Sequence, residues 1–504
     1  MTRRPEDIGA GLLPAREARP IRPAERIHVL GVAGAGASAA ALLAHHAGAA
    51  VSGCDPGGPS QYSGPLEAAG VSLQWQHSPD HVSRAAGGAP ERLAVTKALT
   101  AIAADHPELL AARAAGIPLE PWQQLVADAA ASRGSRLVAV AGTHGKSTTS
   151  GWLVDLLVRA GRDPSAFVGA LLPAPITGGL PATARWGGGG EMVVEADEYA
   201  GNFDAYRPDV ALLLNAEWDH PDVFADQTAV EAAFGAWLRA AAERGQRPTL
   251  VANVDDDAVA RICRRLDSWP GTVVPVGTDV RRGALLLGRL EMPAGGRSRL
   301  TIERPSGAPL ELEIGLPGRH NAANALVVAG AAHVLGVDDD ALRASLAQFG
   351  GVGRRLELKG EPRGVTVLDD YGHHPTAIAR TLEAVRQRYP GRRLWAVYEP
   401  LTYHRTAHML ERFAEVLAGA ADQVVIADIW AGRDPDTTVT SSAALAEATA
   451  RHGLAPAVAA GSVEATADHL AAEVEPGDVV LVMGGGRSYV IADRLVELLG
   501  GGPR

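Results

Sequence analysis

Residues 138–157, VAVAGTHGKSTTSGWLVDLL, run from an apolar strand through a glycine turn into a helix. In a turn such as Gly142-Thr143-His144-Gly145-Lys146-Ser147-Thr148, backbone N–H groups and the helix start hold phosphate oxygens. The lysine reaches the outer phosphates, and the hydroxyl after it meets Mg²⁺. The segment constrains the fold as much as the chemistry. A strand that delivers a phosphate loop to a helix predicts an open α/β sheet, with ligands beyond the carboxyl ends of its strands. The usual pattern G-x-x-x-x-G-K-[ST] requires glycine at 140, where this chain has Val140, so the turn is a variant. Among 47 basic residues only Lys97, Lys146 and Lys359 are lysines. A chain this biased to arginine still has the compact ammonium inside its glycine turn, where a planar guanidinium fits less well.

Two later strands end in acids. EMVVEADEY sets Glu195, Asp197 and Glu198 past an apolar run, and DVALLLNAEWDHPDVF sets Asn215, Glu217, Asp219 and His220 past another. Mg²⁺ takes oxygen ligands, so Glu195 is the first candidate ligand and His220 a candidate for a second ion. LPGRHNAANALVVAGAAHVLG reads as a helix carrying Asn321 and Asn324, followed by FGGVGRRLE with Arg354 and Arg355.

The same strand-then-site pattern occurs on either side. IHVLGVAGAGASAAALLAHHAGAAVSGCD reads as a βαβ unit ending at Asp55, although Ala33 breaks the strict dinucleotide fingerprint. GVTVLDDYGHHPTAIARTLEAVRQR ends a strand at Asp369-Asp370 and supplies Tyr371, His373 and His374. No Cys/His ligand spacing accompanies the paired histidines, so zinc is not expected there. Alternation of strands and helices throughout predicts an α/β protein with parallel sheets in three domains. These are a Rossmann-like N-terminal domain over 26–133, a central P-loop ATPase-like domain over 134–351, and a Rossmann-like C-terminal domain over 352–504. Residues 1–25, rich in proline and arginine, are expected to be a flexible tail.

Composition excludes other classes. The formal net charge of −11 argues against nucleic acid as a partner. Mean hydropathy is +0.01, and no run of ~18 apolar residues predicts membrane insertion. Two cysteines, Cys54 and Cys263, allow no disulfide framework and fit a cytoplasmic setting.

In order, the chain carries a glycine-rich first turn, AGTHGKST, EADE, N-x-E-x-DH, GRHN-x-x-N, GRR and DDYGHHP. From residue 26 to about 500 it thereby resembles the Mur ligase family, whose phosphate turn G-T-x-G-K-[ST] dispenses with the glycine missing at 140. The resemblance implies ATP-dependent ligation of L-alanine to the lactyl carboxylate of UDP-N-acetylmuramate through an acyl phosphate. It implies UDP-sugar binding by Gly34, Ala35, Gly36, Ser38 and Asp55. ATP would lie on Gly142, Thr143, His144, Gly145, Lys146, Ser147 and Thr148, with Asn324 facing the adenine. Ser147, Glu195 and His220 would hold magnesium. Arg355 and Asp370 would close over the ATP, completing a catalytic set with Lys146, Glu195 and His220. Tyr371, His373 and Arg405 would orient the incoming amino acid in a monomer or homodimer.

Departures from the family pattern bear on the amine. EPLTYHRT has Leu401 where histidine is frequent and an added His404; Ala33 and Ala37 replace glycine and methionine in the first turn. The carbamylated lysine of some members has no counterpart, since no lysine lies between Lys146 and Lys359. Three competing readings remain at this point. They are the family's murein peptide ligases, which attach a recycled tripeptide, an NAD-dependent oxidoreductase, and a non-catalytic nucleotide-binding relative.

Overall fold

Each of the three runs of strand–turn–helix units builds its own sheet. The computed structural model describes residues 8–83, 88–103, 105–220, 223–243, 247–293, 297–432, 434, 436–453 and 455–501. The first sheet contains β1 (Arg26–Leu30), β2 (Ala50–Cys54), β3 (Ser72–Gln74), β4 (Arg92–Val95) and β5 (Leu119–Pro121). Its order is β3-β2-β1-β4-β5, parallel throughout, the open-sheet arrangement expected of a Rossmann-like domain.

The central sheet has ten strands: β6 (Arg136–Ala141), β7 (Ser165–Leu172), β8 (Ala182–Arg185), β9 (Glu191–Ala196), β10 (Val210–Leu213), β11 (Thr249–Asn253), β12 (Thr272–Gly277), β13 (Leu286–Glu291), β14 (Ser298–Glu303) and β15 (Leu310–Ile314). The third holds β16 (Glu357–Gly360), β17 (Thr366–Asp370), β18 (Leu394–Glu399), β19 (Gln423–Ala427), β20 (Ala457–Gly461) and β21 (Val479–Gly484). β6 lies between β10 and β9, so the phosphate turn leaves the middle of the sheet with acid-bearing strands on both sides. Val138, Val140 and Ala141 are fully buried, as a strand covered on both faces requires.

The sheets are not wholly parallel, which corrects the sequence reading. β14 and β15 alternate buried and more exposed positions and pair antiparallel with β13 and each other, because a sheet wet on one face needs no covering helices. β8 and β16 also pair antiparallel, at β7 and β17.

The expectation of a flexible segment over 1–25 fails for residues 8–25; residues 1–7 lie outside those described. Arg16 reaches Glu120 at 2.8 Å and Asp128 at 2.7 Å, Arg19 reaches Glu25 at 2.6 Å, and Ile21 is buried. Glu25, Glu120 and Asp128 converge on the buried Arg92. One guanidinium cannot balance three buried carboxylates, and the leading segment brings the missing charges.

Candidate active site

The phosphate turn is clamped from the neighbouring strand. Asn215, just beyond β10, accepts from the His144 N–H at 2.8 Å and donates to the His144 carbonyl at 3.0 Å. The Thr143 hydroxyl donates to the Glu217 carbonyl at 2.8 Å. Gly145 has φ +85°, and a methyl placed there would lie 2.9 Å from Asn324 Oδ1. Glycine is required on both counts. Asn324 thus sits against the turn itself and lines the cleft.

From the helix Lys146–Arg159, Lys146 Nζ donates to the Gly142 carbonyl at 2.7 Å and to Glu198 at 2.9 Å, with Asp197 at 3.6 Å. Burial alone would lower its pKa, but Glu198 and Asp197 outweigh this and hold it above the ordinary lysine value. Glu195, at the end of β9, accepts from the Ser147 hydroxyl at 3.0 Å and from the Gly169 N–H at 2.6 Å. Burial lifts its pKa, opposed by Lys146. Neighbouring oxygens around octahedral Mg²⁺ stand about 2.9 Å apart at the usual bond lengths, so the Ser147–Glu195 spacing fits two adjacent ligands.

Adjacent arginines divide their work. Arg355 donates to Ser147 Oγ at 3.3 Å, with its guanidinium 5.1 Å over the Tyr371 ring. Arg354 turns into the third domain, onto Asp369 at 3.2 Å, Ser488 at 2.7 Å and the Gly484 carbonyl at 2.8 Å. The chain kinks to separate them, with φ +58° at Arg354 and +50° at Leu356. The Asp370 carboxylate accepts from the Leu356 N–H at 2.9 Å and the Gly372 N–H at 2.8 Å. It thereby holds this linker while lining the cleft.

At the far end, Arg405 Nη2 meets Asp219 at 3.1 Å and His220 at 3.5 Å, while Arg405 Nη1 is buried with no hydrogen-bond partner among the described residues. Burial would raise the Asp219 pKa, but His220 and Arg405 hold the carboxyl well below its usual range. His373 donates to the Tyr371 carbonyl at 3.0 Å, and burial keeps its ring neutral. Leu401 and His404 both line the cleft; His404 is tied to Asp434 at 3.1 Å.

These groups line one cleft of about 1620 Å³. Gly36 and Trp122 come from the first domain. The phosphate turn, Glu195, His220 and Asn324 come from the second, and Arg355, Asp370, Tyr371, His373 and Arg405 from the third. Three family models match the chain in the same order. They are the Mur ligase family catalytic domain over 26–133, the Mur ligase middle domain over 140–332, and the Mur ligase glutamate ligase domain over 354–486.

The chain belongs to the Mur ligase family.

Among its relatives, the UDP-N-acetylmuramate–L-alanine ligase of Chloroflexus aggregans is 36% identical over 486 residues, covering 94% of this chain and 98% of the relative. That of Kineococcus radiotolerans is 37% identical over 481 residues, covering 94% and 96%. Among solved structures, the UDP-N-acetylmuramate–alanine ligase of Thermotoga maritima matches with TM-score 0.77 at 23% identity, covering 94% and 98%. A murein peptide ligase from Psychrobacter arcticus matches with TM-score 0.69 at 24% identity, covering 95% and 99%. As a Mur ligase the chain is an ATP-dependent, C–N bond-forming enzyme, with ATP as its co-substrate.

The first turn of this Mur ligase departs most from the sequence reading. Of Gly34, Ala35, Gly36, Ser38 and Asp55, only Gly36 lines the cleft. Ser38 is buried, its hydroxyl on the Ala35 carbonyl at 3.0 Å and on Thr183 of the central domain at 3.2 Å, so it braces the two domains. Asp55 accepts from the Ala33 and Gly57 N–H groups at 3.2 and 2.9 Å and shapes the turn. Trp122 and Gln123, which no motif marked, line the first-domain end instead. Sequence reasoning also passed over a seam cluster. Glu217 takes a hydrogen bond from Thr376 at 2.7 Å and lies 3.2 Å from His144, whose ring is 5.2 Å from that of His374. NAEWDH and GHHP each showed half of it, and only their juxtaposition gives the other half a meaning.

Proposed function

We propose that this Mur ligase joins L-alanine to the lactyl carboxylate of UDP-N-acetylmuramate, with conversion of ATP to ADP and phosphate. The observation that carries the reading is the shared cleft, with Lys146 and Arg355 at one end and at the other Arg405, whose Nη1 has no partner among the described residues. Relatives at 36–37% identity that bear this activity in their names support the same choice.

A carboxylate and an ammonium do not condense in water, so the carboxylate must first be activated. The γ-phosphoryl passes to it, an acyl phosphate forms, the alanine amine attacks, and phosphate leaves a tetrahedral intermediate. Lys146, held cationic by Glu198 and Asp197, stabilises negative charge on the transferring group, and Arg355 approaches from the third domain to share it. Ser147 and Glu195 would hold Mg²⁺, with His220 a ligand to a second ion. The metal supplies charge neutralisation at the phosphates. Packing of the third domain over the turn excludes water that would hydrolyse the acyl phosphate. Gly36 and Trp122 would border the UDP-sugar. Arg405 would clamp the alanine carboxylate through Nη1, since Nη2 is already engaged by Asp219. Tyr371 and His373 would frame the amine.

The third-domain loop 399–408 offers one guanidinium to an incoming substrate, enough for one small carboxylate. A tripeptide carries several and calls for more cations. The test runs enzyme, ATP, Mg²⁺ and UDP-N-acetylmuramate with L-alanine or with L-alanyl-γ-D-glutamyl-diamino acid, following ADP and product. Alanine is expected to react at least about tenfold more efficiently, a difference of about 1.4 kcal/mol in transition-state binding. A faster tripeptide reaction would make this chain a recycling ligase.

A further inference from the structure

A second constellation of chemically loaded side chains lies away from the cleft, inside the first domain. His28 on β1 and Cys54 at the end of β2 stand on adjacent parallel strands. His28 pairs in register with Ser52, so Cys54 lies two residues further along on the same face. His81, in the short helix Asp80–Ser83, and Glu108, in the helix Pro107–Ala114, close over them. His28 Nε2 is 3.3 Å from Cys54 Sγ and 3.4 Å from Glu108 Oε2. Glu108 Oε1 is 3.2 Å from His81 Nδ1 and 3.3 Å from Cys54 Sγ. All four ligand atoms fall within 4.8 Å of one another.

These separations have a specific meaning. Zn²⁺ binds nitrogen at about 2.0 Å and sulfur at about 2.3 Å, so the edges of its coordination tetrahedron measure about 3.3–3.5 Å. The donors are of types that zinc prefers; the His28–Cys54, His28–Glu108, His81–Glu108 and Cys54–Glu108 contacts fall at 3.2–3.4 Å, and all four ligand atoms lie within 4.8 Å of one another. Their orientations are fixed from outside: Ser52 Oγ lies 2.8 Å from His28 Nδ1, leaving Nε2 for the centre, and the Ser78 N–H donates to Glu108 at 2.7 Å. Metal-bound histidines and carboxylates are held in this way.

Charge points in the same direction. Glu108 and Cys54 are fully buried, and among the described contacts of Glu108 are histidines, the thiol and one N–H, with no lysine or arginine. A buried carboxylate needs a counter-charge, which a protonated histidine or a bound cation supplies. Zn²⁺ bound to one carboxylate and one thiolate makes the site neutral, the thiol proton leaving to solvent.

We propose that His28, Cys54, His81 and Glu108 form a structural zinc site in the first domain. His77, whose Nδ1 lies 3.2 Å from Cys54 Sγ, flanks it. The Cys54 carbonyl accepts the Gly31 and Val32 N–H groups at 2.9 and 3.2 Å. Fixing Cys54 therefore also fixes the first glycine turn, which leads to Gly36 in the cleft.

The experiment is metal analysis of the full chain, produced with added zinc and dialysed free of loosely held metal. It is paired with absorption spectra of protein loaded with Co²⁺ after zinc removal. About one zinc per chain is expected, together with a sulfur-to-cobalt charge-transfer band. Cys54→Ser should lower zinc content at least about tenfold and abolish the band, while Cys263→Ser should change neither. If Cys54→Ser does not fold, His81→Gln, at the rim of the cluster, provides the same comparison. Wild-type protein that retains no zinc and gives no thiolate band would overturn the proposal. So would full zinc content in the folded Cys54→Ser or His81→Gln variant.

Discussion

At Lys146 a single ammonium answers to two demands. It is placed to meet phosphates, and it neutralises Glu198, which is 2% exposed and 2.9 Å away. Lys146→Ala should therefore reduce ATP-dependent ligation by about 10²–10³, the size of one lost transition-state contact, while UDP-N-acetylmuramate binding stays within about twofold. ADP release and calorimetric titration read the two effects separately. A melting curve reports the added cost of leaving Glu198 without its counter-charge. Near-normal turnover would remove Lys146 from the catalytic set. The neighbouring arginines teach a related lesson, because GRR in the sequence does not say which guanidinium points where. Positive φ at Arg354 and Leu356 splits them, sending Arg354 into the third domain and Arg355 to Ser147.

Elements decide how closely the backbone can approach a ligand or a ring. The helix Ala35–His46 begins beside the cleft, and at Gly36 a methyl group would fall 2.2 Å from Trp122 Cζ2. That overlap has to be relieved by moving the indole, which also packs edge-on against Phe167 of the central domain at 5.3 Å. Gly36→Ala is expected to raise KM for UDP-N-acetylmuramate at least about tenfold with ATP affinity unchanged, since the phosphate turn is built on another sheet. Steady-state kinetics with each substrate varied in turn gives the answer, and an unaltered KM would place the sugar nucleotide elsewhere. The strand-to-turn-to-helix grammar of these elements was legible from apolar runs and glycines. The antiparallel ribbon β13–β15 was less so, because a strand's own residues do not say in which direction its neighbour runs.

On the scale of the whole molecule, the middle and third domains meet across a histidine seam. Burial pushes both His374 and His320 down to about 4 from an ordinary 6.5, aided by His144 and by Arg380 at His320, while Asp219 and Glu217 work against the shift at His374. His374 accepts the Thr376 N–H at 3.3 Å through Nδ1, a bond that only the neutral ring can make. The unfolded chain binds these protons more readily than the folded one between pH 6.5 and 4. Stability is therefore fully present above pH 6.5 and is lost as pH falls through that window, by up to about 3 kcal/mol for His374. Asp369, pushed up to about 6 by burial against the pull of Arg354, acts in the opposite sense on unfolding but lies inside the third domain. Small-angle scattering across this range should show the chain expanding on acidification. His374→Gln should flatten the change, and an equal expansion in both proteins would dismiss the seam.

What the sequence determined by itself was local: buried strands as apolar runs, turns as glycines, a phosphate loop as a lysine and hydroxyl behind them, and acids at strand ends. Each depends on neighbours along the chain and so leaves a trace in the order of residues. Only the tertiary structure decided which of those groups share a cleft. It tied Asp370 to a linker and Ser38 to a domain contact, brought Trp122 beside Gly36, and buried Arg405 Nη1 with no partner among the described residues. It also assembled His28, Cys54, His81 and Glu108 from four separate elements. Their spacing along the chain follows no pattern because strand pairing and helix packing, not adjacency in sequence, set the few ångströms over which chemistry acts.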